Sequence, residues 1–192
     1  MQRAAIGVRM HSGWGVLVAV AESAGIIERC RIDVISDDRD ARQRGNQPYH
    51  RAAELGVANA EKYLAEYTVE TERLAREAIG KAIAEMKKRG YHITAAALLL
   101  PSARKLPPLP QILASHPLIR TAEGELFRAT IRRACESLGV PVLGLVSVSS
   151  QITLRRSSAP LLPLFSERLR PLEDRSARPR RLITRLPPWA RA

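Results

Sequence analysis

Four residues carry the clearest chemistry in this chain: His11, His50, His116 and Glu123. His116 follows Ser115 in the stretch ILASHPLIRTAEGELFRATIRRACESL (112–138), and Glu123 and Glu125 follow shortly after. Imidazole exchanges protons near neutral pH and binds Zn, Mn, Ni or Fe better than Mg. A carboxylate beside it can act as general base or as a further ligand. His11, His50, His116 and Glu123 are therefore candidate ligands for a divalent transition metal. His116 and Glu123 are the candidate catalytic pair, with Ser115 and Glu125 at the same junction of loop and helix. Ser115 acting as nucleophile with His116 as its base is disfavoured, because neighbours in sequence do not face each other on a helix.

Each of these residues also has a simpler local reading. His11 sits in the turn His11-Ser12-Gly13-Trp14, where polar groups bond to nearby backbone. His50 falls in the first turn of a helix. Ser115 followed by Pro117 has the form of a helix cap. Glu123 and Glu125, in a first helical turn, would complement the helix dipole. His92 opens a strand.

Several elements must position these groups. Ile6, Val8 and Met10 alternate with Gly7, Arg9 and His11, which is strand periodicity. WGVLVAVA (14–21) is a second strand and residues 26–35 a third, joined by short turns as an antiparallel meander. The polar stretch SDDRDARQRGNQ (36–47) is a connection. Pro48 to Arg89 reads as helix, with a break at Gly56 or over Thr68–Thr71. Its apolar stripe is Leu74, Ala75, Ala78, Ile79, Ala82, Ile83 and Met86, and Lys87, Lys88, Arg89 and Gly90 suit its end.

HITAAALLL (92–100) reads as a buried central strand, and the proline-rich residues 101–111 as a stiff loop. A helix over 122–138 follows, with Phe127, Ile131, Ala134 and Leu138 on one face and Arg128, Arg132 and Arg133 on a solvated one. Val140 to Val148 form a fifth strand. The expected fold is α/β: a mixed five-stranded sheet in the order βββαβαβ, with the second strand antiparallel, flanked by helices.

Hydrophobic residues make up 45% of the chain and aromatics 4%, so its core is aliphatic. The net charge of +12 is unevenly placed. Residues 151–192 hold ten arginines, no lysine and three acids, whereas residues 1–150 hold 21 basic and 16 acidic residues. The reading is a folded domain over 1–150 and an irregular, Arg/Pro-rich basic tail over 151–192. Six prolines in that tail exclude long helices and central strands. The tail suits an arm for nucleic acid, a disordered end without a ligand, or a segment translated from an altered reading frame. Cys30 and Cys135 form no disulfide framework and no metal spacing, and read as buried thiols. No apolar run approaches the roughly 20 residues that span a bilayer. The expectation is a cytoplasmic protein with no membrane partner.

The opening hairpin GVRMHSGWGVLVAV and the order βββαβαβ resemble the ribonuclease H-like superfamily. MHSGW, QPYH, LASHPLI and AEGELFR together look like a small uncharacterised bacterial family with that core, over residues 4–148. The resemblance implies a nuclease or resolvase fold with acidic residues around divalent metal. This chain departs from that pattern. The expected carboxylate on the first strand is absent, since Arg9 and His11 hold the corresponding inward positions. Glu173-Asp174 lie in no helical context that could replace the usual last helix. Two close cations need several hard oxygen ligands, so the two-metal reaction is disfavoured.

Three functions follow as expectations. The first is a nucleic-acid-associated binding or regulatory protein on this scaffold. The second is a metal-dependent hydrolase, nuclease or phosphoesterase, using the His/Glu site. The third is an inactive member with an aberrant C-terminus. No glycine-rich phosphate loop is present, which disfavours an ATPase.

Overall fold

Period-two alternation builds one sheet in the computed structural model, which describes residues 1–35, 46–99, 105–148 and 151–155. These all belong to the unit Met1–Ala159. The connection 36–45 and the tail beyond Arg155 lie outside the described residues, including Glu173 and Asp174.

Strands β1 (Gln2–Met10), β2 (Trp14–Ala21) and β3 (Gly25–Asp33) form the expected meander. Gly13 makes its first turn with φ at 77°. A Cβ there would stand 2.7 Å from Ile35 Cδ1, so both the backbone angle and the space require glycine. Strand β4 (Tyr91–Leu99) lies parallel to β1, and β5 (Val142–Val148) parallel to β4. A sixth strand, β6 (Gln151–Arg155), pairs antiparallel with β5 and extends the sheet to the order β3-β2-β1-β4-β5-β6. This corrects the expectation of irregular chain from residue 151. Ile152 and Leu154 alternate, but five residues are too few for the period to be read.

Helix α1 (Pro48–Leu55) and helix α2 (Val57–Lys88) break at Gly56, where φ is 75°. Thr68 and Thr71 do not break α2. Each hydroxyl donates at 2.7 Å to the carbonyl four residues earlier, Leu64 and Tyr67, and so stays within the helix. A short helix α3 (Leu109–Leu113) precedes helix α4, which runs from His116 to Ser137. Helix α4 thus starts earlier than the expected residue 122. Pro117 sits in its first turn, where the missing N–H costs nothing.

The core lies between one face of the sheet and helices α2 and α4. Ile6, Val8, Leu17 and Ala19 meet Ile79 and Met86 of α2 and Phe127, Ile131 and Ala134 of α4. Burying a side chain such as Phe127 stabilises the fold by roughly 1.5–3 kcal/mol. Leu138 departs from its expected face: it is the C-cap of α4 and is exposed. Arg9 is exposed rather than inward, because the core-facing positions of β1 are Ala4, Ile6 and Val8. Among the described residues no helix is long and apolar enough to cross a membrane.

Candidate anion-binding site

Strands β1, β3, β4 and β5 share one direction, so their carboxyl ends lie on one side of the sheet. Chain connections from those ends deliver the site. His11 follows β1 directly, α1 follows β3, and α3 and α4 follow β4. Tyr49 holds α1 in place. It packs against two clusters, one of Ala52, Ala60 and Leu64 and one of Ile112, Ile119 and Ala122. Burial, and then the Glu123 charge, push the Tyr49 phenol above its usual pKa, so it stays neutral.

The amino end of α1 points at Glu123 of α4. Gln47, the N-cap of α1, makes no side-chain capping bond. Glu123 Oε1 takes that place from another helix. It accepts the backbone N–H of Tyr49 at 3.2 Å and of His50 at 3.3 Å, and lies 2.9 Å from His50 Nδ1. A buried carboxylate is tolerated here because these donors and the positive end of α1 replace its water. An ionised carboxylate only accepts hydrogen bonds, so a hydrogen bond between the two requires the proton on His50 Nδ1.

A cavity of about 350 Å³ opens beside this pair. Its lining includes His11, Ser12, Gln47, His50, Arg120, Glu123, Gly124 and Arg128. Arg120, Gly124 and Arg128 are spaced by four along α4 and so share one side of it. The Arg128 guanidinium lies over Gly124, where a Cβ would stand 3.3 Å from both Nη atoms. Glu125 holds Arg128 from the same helix, with Nη2 donating to Oε1 at 2.9 Å. The Nε of Arg128 is buried and has no hydrogen-bond partner among the described residues. Two guanidinium groups and two imidazoles on one polar cavity suit an anion, and phosphate best matches the Arg fork.

The sequence-derived candidates are brought together only in part. His11, His50 and Glu123 line one cavity. His116 is exposed and is not among its lining residues, but its ring meets that of His50 edge-on, with centroids 4.9 Å apart. Ser115 is the N-cap of α4, as expected, although its hydroxyl makes no capping bond. Glu123 and Glu125 are not dipole partners of their own helix, because α4 begins at His116 and no acid lies in its first turn.

Among the described residues no group of three or more His, Cys, Asp or Glu side chains could hold an ion. Glu123 Oε1 is engaged with α1, and the His11 ring is stacked on Trp14 at 4.4 Å. Both cysteines lie elsewhere: Cys135 is in the core, and Cys30 is on β3.

Arg120 and Gly124 were missed by the sequence reading, and Arg128 was placed on the solvated face. Arg132 and Arg133 do lie exposed, paired with Glu136 and Glu72. The signal for the missed residues was available. Arg120, Glu123, Gly124, Phe127 and Arg128 follow the i, i+3, i+4, i+7, i+8 pattern of one helix face. Neither the protein-family models nor the curated proteins give any match to this chain.

Proposed function

We propose that this chain is a ribonuclease H-like, nucleic-acid-associated binding domain that holds a phosphate group in the Arg120–Arg128 cavity. The strand order β3-β2-β1-β4-β5, with β2 reversed among those five, supports the scaffold part of the reading. One observation carries the functional part. Two arginines and two histidines converge on a cavity whose one carboxylate among the described lining residues, Glu123, is already engaged with α1. The guanidinium groups of Arg120 and Arg128 therefore supply hydrogen-bond donors for a ligand there. The uneven basic charge of the chain adds sequence-independent attraction to phosphate.

Titration with inorganic phosphate and with a short single-stranded oligonucleotide tests this. Arg120→Ala and Arg128→Ala should each weaken both ligands, and each should flatten the salt dependence for the oligonucleotide by about one phosphate contact. Wild type and the double variant binding both ligands equally would end the reading.

A hydrolytic function is supported by a separate observation, the Glu123–His50 pair. With Nδ1–H fixed by the carboxylate, His50 Nε2 could take a proton from water attacking a phosphate ester. Phosphodiesterase turnover by wild type that is lost in His50→Ala would favour this reading over simple binding.

A further inference from the structure

A prebuilt stack adjoins the cavity through His11. Arg31 places its guanidinium carbon 4.5 Å from the centre of the Trp14 ring. The His11 imidazole lies 4.4 Å from Trp14 with the two planes 14° apart. Asp33 anchors Arg31, accepting from its Nε at 3.0 Å and from Nη2 at 2.8 Å. His11 is exposed and lines the cavity. Among the described residues no other ring or cation stacks on it. A flat ring arriving in the cavity would extend a stack whose ordering is already complete.

The size of the cavity narrows the ligand. About 350 Å³ is the scale of a small-molecule site and far below that of a duplex. We infer that the cavity takes one nucleotide carrying a 5′-monophosphate, with its base on His11 and its phosphate between Arg120 and Arg128. This rests on the phosphate-binding reading above and adds the identity of the ligand's other half. The nucleotide is either free or the phosphorylated end of a single strand. Stacking tolerates any base, because each has a π-face.

Calorimetric titration of the full chain with inorganic phosphate, ribose 5-phosphate and adenosine 5′-monophosphate tests the inference. Wild type should bind the nucleotide about ten-fold more tightly than ribose 5-phosphate, the scale of one stacked base. His11→Ala should abolish that difference, and His11→Phe, which keeps a flat ring, should retain it. Arg128→Ala should weaken all three ligands. Equal affinity of wild type for the nucleotide and ribose 5-phosphate would overturn the nucleotide inference while leaving the phosphate site standing. A preference that survives His11→Ala would overturn it also, by placing the base elsewhere. No binding of any of the three would overturn both readings. A 5′-phosphorylated tetraadenylate, compared with its unphosphorylated form, separates the sources. Preference for the phosphorylated form beyond that for the mononucleotide assigns a strand end, and no such gain assigns the free nucleotide.

Discussion

Glu123 Oε1 and His50 Nδ1 meet at 2.9 Å across a sequence separation of 73 residues, and the same oxygen caps the helix that carries His50. One carboxylate thus fixes the amino end of α1, the orientation of an imidazole and one wall of a cavity. Structure and function at this site are coupled through a single atom.

Glu123→Ala should therefore cost stability as well as ligand binding. It leaves two helix N–H groups and an imidazole without the buried acceptor that Glu123 supplies. The expected loss is about 3 kcal/mol, from the combined penalties of unpaired buried donors. Glu123→Gln keeps one acceptor oxygen and should lose only about 1 kcal/mol. Urea unfolding of the two variants checks this. Equal and small losses would show that Glu123 does not cap α1.

The alkaline limit of stability should depend on Cys135. Burial, then the nearby Glu136, push its thiol up to about 12 from an ordinary value of 9.0. The unfolded chain releases that proton near pH 9 and the folded chain does not. The folded state then binds more protons, so stability falls as pH rises from about 9 to 12. Below pH 9 both states hold the proton and the effect vanishes. Cys135→Ala should flatten this part of the stability curve, and native Cys135 should react with iodoacetamide far more slowly than unfolded chain. Rapid labelling of native Cys135 at pH 8 would contradict its burial.

Zinc should find no stoichiometric site among His11, His50, His116 and Glu123. Competition titration with a chromogenic chelator should show no saturable uptake at low micromolar zinc, and His116→Ala should behave as wild type. Tight one-to-one uptake that disappears in His116→Ala would restore the metal-centre reading.

The sheet was legible where the alternation was long. Ile6, Val8 and Met10 fix β1, and the residues before Gly25 and Gly90 fix the elements on either side. The helix break was legible only as a choice between Gly56 and Thr68–Thr71, and the structure puts it at Gly56, where φ is positive. Arg120 was not, because a helix taken to start at 122 leaves it in a loop. The true start at His116 puts Arg120, Gly124 and Arg128 in register. The partner of Glu123 was hidden for another reason. Capping of one helix by a side chain from another depends on tertiary packing, which Tyr49 sets through two separate apolar clusters.

Gly124→Ala should separate stability from binding. Within a helix, alanine is favoured over glycine by up to about 1 kcal/mol. The added methyl would meet only the far end of the Arg128 side chain, at 3.3 Å, which can move aside. The fold should therefore be equally or more stable. The guanidinium, however, would be displaced by a few tenths of an ångström from the position in which Glu125 holds it at the cavity. Phosphate binding should weaken by about five-fold, the worth of roughly one hydrogen bond. Arg128→Lys should weaken it further, because a point charge cannot reproduce the planar fork. Thermal unfolding and phosphate calorimetry on the same samples give both readouts. A variant that binds phosphate as wild type does would show that the position of Arg128 over Gly124 is incidental to the site.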